Sequence, residues 1–216
     1  MTVVLSQQFS LVNTWINELR NIEIQHDRMR FRRNMERIGE IAAFEISKDL
    51  EQREVEIHTS LDTIRVKEIA VQPVITTILR AGVPLFEGIL NYLDKADCGF
   101  VAAYRKHDAN DYFSIKQDYL TCPNIDGRPL IVADPMLATG ASLIEAIKDL
   151  LTNGTPTQLH IVAAIASRQG VETIEKAYPN AKLWVGAIDE NLTSKGYITP
   201  GLGDAGDLSY GEKLQR

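Results

Sequence analysis

The sequence predicts an α/β fold: a doubly wound, mainly parallel sheet preceded by a helical N-terminal segment and followed by a glycine-rich tail. Three observations carry this. Beyond Pro73, short apolar runs recur at Val74 to Leu79, Gly99 to Tyr104, Pro129 to Ala133, Leu159 to Ala166 and Leu183 to Ile188. Several lack a polar face, as strands covered by helices on both sides must. Helical segments alternate with them, at Pro84 to Asp94, Ser142 to Asn153 and Val171 to Tyr178. Finally, 216 residues that are 44% hydrophobic and 24% charged can bury a core without disulfide or metal.

Taken in order, Phe9 to about Leu50 reads as two helices, because Phe31, Met35, Ile38, Ala42, Phe44 and Ile46 recur at near three- and four-residue spacing. The strand and helix alternation then runs to Ile188, with Asn153-Gly154 and Tyr178-Pro179 as helix stops. Lys106 to Tyr119 is polar and begins loop-like before Tyr112, Phe113 and Ile115 suggest an extended arm. It fits a mobile flap over a site and a plain surface hairpin equally. Without repeats or a linker, residues 1–216 read as a single domain.

Lys and Arg total 23 against 29 Asp and Glu, a formal charge of −6, which argues against a general nucleic-acid or anionic-membrane binder. Cys98 and Cys122 sit in no metal or redox spacing. The N-terminus lacks the pattern of a secretory signal, and the longest apolar runs, such as Ile161 to Ala166, fall far short of a bilayer span. A cytoplasmic protein is expected.

The most informative segment is Leu130 to Ser142, where an apolar strand runs into Asp134, a Thr-Gly turn and a helix. Thr139, Gly140, Ala141 and Ser142 would present amides and hydroxyls at a helix N-terminus, where a phosphate is favoured. Asp134, at the carboxyl end of the strand, could accept from ribose hydroxyls, and ligands of open α/β sheets bind at that edge. An ordinary turn with Ser142 as N-cap fits the same residues. Arg80 stands at a second strand end, followed by Ala81-Gly82. A third segment, Gly196 to Asp207, carries four glycines that let backbone approach a flat ligand.

These segments carry a resemblance. ADPMLATGAS resembles the phosphoribosyl-pyrophosphate loop of the type I phosphoribosyltransferase fold, and its DPM-x-ATG form is similar to that of the uracil phosphoribosyltransferase family. Leu79-Arg80-Ala81-Gly82 resembles that family's LRAG segment, Arg105 a second family arginine, and GYITPGLGDAGD its uracil-binding segment. The resemblance implies transfer of phosphoribosyl from 5-phosphoribosyl 1-pyrophosphate (PRPP) to uracil, giving UMP. By it, Asp134, Pro135, Met136, Leu137, Ala138, Thr139, Gly140, Ala141 and Ser142 bind PRPP, Arg80 and Arg105 its pyrophosphate, and Asp204 faces the phosphoribosyl group. Ile198, Gly203, Asp204 and Ala205 form the uracil site of a glycine-rich base-binding loop. Asp134, Arg105 and Asp204 are the catalytic candidates. Mg²⁺ is expected on the substrate rather than on protein metal ligands, and the family suggests a homo-oligomer and a GTP effector.

Two stretches depart from the family pattern. Gly140-Ala141-Ser142 replaces Gly-Gly-Ser, which fits if residue 141 has a negative φ. Leu208-Ser209-Tyr210 replaces arginine, an aliphatic residue and phenylalanine. With the cluster Arg28, Arg30, Arg32, Arg33 and Arg37, this second departure encourages one of two rivals, a regulatory nucleotide- or RNA-binding protein on the same fold with weak or no catalysis; the other is a phosphoribosyltransferase for another base, against which the uracil-type tail counts. The acidic net charge counts against RNA. His160 reads as structural.

Overall fold

Helices form where the N-terminal periodicity predicts them, as α1 (Leu11–Arg20) and α2 (Arg28–Ser47). The computed structural model describes residues 1–107 and 113–213, and the side chains of all of these except 103–107 and 113–118. Ser10 starts α1 with a capping box, its side chain accepting from Val12 N while its own amide donates to Asn13, and Asp27 caps α2 by accepting from Arg30 N.

The sheet follows as β4 (Val74–Leu79), β5 (Asp97–His107), β6 (Phe113–Thr121), β7 (Pro129–Ala133), β9 (Gln158–Ser167) and β10 (Lys182–Asp189), interleaved with α3 (Val83–Tyr92), α4 (Ala141–Leu150) and α5 (Arg168–Ala177). Two short strands complete it: β1 (Thr2–Val4) pairs with β10, and β8 (Met136–Leu137) with β9. The order β1-β10-β9-β7-β4-β5-β6 is parallel except for β6, which runs antiparallel to β5. From β4 the chain winds one way to β5, and from β7 it winds the other way to β9 and β10. The adjacent carboxyl ends of β4 and β7 are therefore the switch point of the sheet.

Each central strand feeds two cores. On β7, Ile131 and Ala133 face the layer of α1, α2 and α3, while Leu130 and Val132 face α4 and α5. The helical layer is close because Gly39 and Gly88 lack side chains: a β-carbon at Gly88 would lie 1.9 Å from the Glu36 carbonyl oxygen, and one at Gly39 2.2 Å from that of Leu85.

Several elements differ from expectation. Residues Thr2–Val4 form an edge strand, too short to show a period. Gln52–His58 (β2) and Thr63–Ile69 (β3) form a separate antiparallel hairpin, exposed along nearly its whole length. Its charged residues interleave with Val and Ile without a large apolar face, so hydrophobic patterning marks no core strand there. Helix α5 begins three residues before Val171, because Ser167 caps it by accepting from Gly170 N. Lys106 to Tyr119 contributes to the β5–β6 pair, while the loop expected within it, residues 108–112, lies outside the described residues.

His160 is buried in the sheet and tied into a relay. Trp184 Nε1, only a donor, gives its proton to His160 Nδ1 at 3.1 Å, so Nε2 carries the ring hydrogen and donates to Gln158 Oε1 at 3.2 Å. Gln158 in turn donates to the Asp49 carbonyl. Desolvation lowers the His160 pKa from 6.5 to about 4. The unfolded chain therefore takes up this proton near pH 6.5 and the folded chain only near pH 4, so stability is full above about pH 7 and falls as pH drops between those values. The expected loss is about 3 kcal/mol, read from urea midpoints between pH 7 and 4. His160→Gln should flatten this slope; an unchanged slope would refute the assignment.

Candidate active site

At the carboxyl end of β7 the chain turns through Asp134 to Gly140 before entering α4. The Asp134 amide donates to Val162 O, and its Oδ1 lies 3.4 Å from the Met136 amide, so the side chain folds back over its own turn. Gly140 has φ +82°, and its αL conformation aims the chain into the helix. Ala141 is already helical, so the left-handed position is the one that kept its glycine, and the Gly-Ala-Ser departure carries no backbone penalty. The N-cap is Gly140 without a side-chain cap; Ser142 lies inside the first turn, not at the cap that an ordinary turn would give it.

These residues line an open pocket of about 180 Å³, bounded by Asp134, Met136, Leu137, Ala138, Thr139, Gly140, Ser142 and Leu143. Pro135 is buried beneath it, and its carbonyl accepts from Ala164 N and Ile165 N. Ser167 Oγ donates to Ala138 O at 2.5 Å and tethers the pocket floor to α5. First-turn amides, two hydroxyls and one acid at the rim suit an anionic, hydroxylated ligand.

Arg80 leaves the end of β4 after a cis Leu79–Arg80 peptide. Gly82 packs this loop against the neighbouring one: a β-carbon there would sit 2.1 Å from Thr77 Oγ1 and 3.0 Å from Ala133 O, with Ala133 immediately preceding Asp134. Thr77 Oγ1 donates to the same Ala133 oxygen, joining the two strand ends. Arg80 Nη2 donates to Asp207 Oδ1 at 2.6 Å and to Gly211 O at 2.7 Å. The Arg80 segment and the glycine-rich third segment thus meet.

The third segment forms β12 (Ile198–Thr199), paired with β11 (Asn191–Leu192), and then a short helix, α6 (Ala205–Tyr210). The glycine-rich tail becomes helical here because Asp204 caps it: Oδ1 accepts from Gly206 N at 2.8 Å and Asp207 N at 3.0 Å. Burial acts to raise the Asp204 pKa, but these amides and the Lys213 ammonium 3.2 Å from Oδ2 outweigh it and hold the carboxyl below its usual range. Asp204 is consequently ionised at neutral pH. Ile198 and Ala205 are packed into the core, the whole residues only 4% and 1% exposed. Gly203 is exposed at φ +96°.

Arg105 pairs through its backbone with Ile115 in the β5–β6 ladder, and its side chain lies outside the described ones. Sequence reasoning missed Thr77, Asp207 and Lys213. Asp207, three residues past the Asp204 cap, is where a first-turn acid favours the helix dipole, which is the signal that could have singled it out. Four of the five arginines of α2 are internally engaged. Arg30 makes a bidentate pair with Glu18, Arg33 pairs with Glu36, Arg37 bonds Asn34, and Arg32 donates to Ser209 O beside the Tyr210 ring. This counts against a free basic face for RNA.

The profile of the uracil phosphoribosyltransferase family matches residues 6–211. A Porphyromonas gingivalis protein named uracil phosphoribosyltransferase is 46% identical over 211 residues, 97% of this chain and 98% of its own. One of that name from Thermococcus gammatolerans is 37% identical over 88% of this chain and 85% of its own. A solved structure of a protein from Aquifex aeolicus superposes with a TM-score of 0.86 at 31% identity, covering 100% of both chains.

Proposed function

The chain belongs to the uracil phosphoribosyltransferase family, and from that membership we propose that it transfers the phosphoribosyl group of PRPP to uracil, forming UMP and pyrophosphate in pyrimidine salvage. It acts as one domain over residues 1–216, in the cytoplasm; no helix among the described residues is long and apolar enough to cross a membrane. The observation that carries the reading is that the anion pocket at the end of β7 and Arg80 at the end of β4, itself bonded to Asp207 of the glycine-rich loop, stand on the two adjacent strands of the sheet's switch point.

The bond that breaks joins the anomeric carbon to a pyrophosphate oxygen, and the bond that forms joins that carbon to a uracil ring nitrogen, which gives up its proton. The transition state has oxocarbenium character, so no covalent nucleophile is needed. Thr139 to Ser142 hold the 5-phosphate over the walls made by Met136 to Ala138, with Pro135 beneath them, and Asp134 accepts from the ribose hydroxyls. Arg80 and Arg105 draw charge off the departing pyrophosphate. Ionised Asp204 faces the forming cation. The backbone at Ile198, Gly203 and Ala205 reads the edge of uracil.

The carboxylates of Asp134 and Asp204 are hard oxygen donors that would hold substrate-borne Mg²⁺ through water, and the ion would supply charge neutralisation. A homo-oligomer is supported by the β2–β3 hairpin, where Ile57 and Ile64 pair across the strands at 40% and 50% exposure and Leu61 is 95% exposed. Control by GTP rests on family membership alone.

The test is to supply PRPP, Mg²⁺ and each nucleobase in turn and follow nucleotide formation by chromatography. UMP from uracil alone is expected; no nucleotide from any base would overturn the reading. Asp134→Asn should raise KM for PRPP by about 10- to 100-fold, the cost of a lost charge-assisted hydrogen bond, with the thermal midpoint little changed. Unaltered kinetics in that variant would remove Asp134 from the ribose.

A further inference from the structure

The base loop turns at Gly201, which has φ +58° and where a β-carbon would lie 2.1 Å from Ile198 O. Both polar groups of this buried residue are taken up by one ion pair. Its amide donates to Asp189 Oδ2 at 2.9 Å, and its carbonyl accepts from Arg20 Nη1 at 2.9 Å. Arg20, the last residue of α1, closes the triangle with a bidentate contact to Asp189, Nη1 to Oδ2 at 2.8 Å and Nη2 to Oδ1 at 2.7 Å. Asp189 is the last residue of β10, and its side chain is only 7% exposed. The carboxylate thus receives three N–H donors, and two rigid elements converge on one peptide turn. Gly201 lies three residues after Ile198 and two before Gly203, so any shift of the turn moves both.

We infer that Arg20 and Asp189 are positioning residues for base recognition, setting the backbone of residues 198–203 that reads uracil; this rests on the uracil-binding reading of that loop. A planar, forked guanidinium is required, because it must serve both carboxylate oxygens and the Gly201 carbonyl at once. A lysine keeps the charge but cannot span the three acceptors. The pair lies beyond the phosphate pocket lined by Asp134 to Leu143. Its loss is therefore expected in the base parameter and not in the PRPP parameter.

The test compares Arg20→Lys and Arg20→Met with the full-length protein by initial rates, varying each substrate at saturation of the other. Arg20→Lys is expected to raise KM for uracil about tenfold, with KM for PRPP within a factor of two, and Arg20→Met is expected to raise it further. Titration calorimetry with pyrophosphate checks that a variant still folds around its anion site. Should Arg20→Met fail to fold, Arg20→Lys alone decides the matter. Unchanged KM for uracil, or equal losses in both substrate parameters, would overturn the inference while leaving the uracil reaction standing. A wild-type protein that forms no UMP would instead overturn the function on which it rests.

Discussion

Replacing Arg80 by methionine is expected to lower kcat/KM for PRPP by roughly 10²- to 10³-fold, the loss typical of removing one donor aimed at developing negative charge. The same change should alter stability little. The Arg80–Asp207 pair is partly exposed, at 38% and 30%, and ion pairs in such positions contribute about 1 kcal/mol or less. Activity and stability therefore separate: the thermal midpoint stays within a few degrees while turnover collapses. Arg80→Lys should recover only part of the rate, because an ammonium cannot serve Asp207, the Gly211 carbonyl and a pyrophosphate oxygen with one planar group. Steady-state kinetics at saturating uracil provide the measurement. An Arg80→Met enzyme with wild-type kcat/KM would take the arginine out of the reaction and leave it as a support for the C-terminal helix.

A single methyl at Gly82 should damage both folding and catalysis. The backbone there, with φ −75°, would accept alanine, so the obstacle is space alone. The new β-carbon would meet Thr77 Oγ1 at 2.1 Å, Ile78 O at 2.9 Å and Ala133 O at 3.0 Å. Thr77 cannot swing away without breaking its own bond to Ala133 O, and the other two atoms are backbone. Overpacking of this kind costs about 1–3 kcal/mol, which in a protein of this size lowers the thermal midpoint by several degrees. Because Ala133 and Arg80 bracket the collision, the two loops must separate, and displacements near 1 Å at a reacting centre can cost about 10²-fold in rate. The double variant Thr77→Ala/Gly82→Ala should regain part of the stability. A Gly82→Ala protein with an unchanged melting temperature and unchanged turnover would show that the β4 and β7 ends are not coupled through this contact.

Much of the fold was legible because its signals are local or periodic. Val74 to Leu79 and Pro129 to Ala133 coincide with β4 and β7, since strands buried on both faces show as short β-branched and aliphatic runs without a charged residue. Elements without such a face were not legible: the three-residue β1, held by pairing with β10, and the β2–β3 hairpin, whose partner strands are each other. In the site, Asp134, Arg80 and the Gly140 turn stood out because strand ends and glycines carry their meaning in sequence. The burial of Ile198 and Ala205 did not, for it is set by the distant elements that pack against them rather than by neighbouring residues.

The strands and helices of the α/β alternation, the anion loop after β7 and the motifs that point to the family are each written in residues within about a dozen positions of one another. How these pieces join is a matter of long-range packing. Arg80 meets Asp207 across 127 positions and Arg20 meets Asp189 across 169. Such pairings depend on where the sheet reverses its winding and on which strand ends become neighbours, and no local preference encodes that.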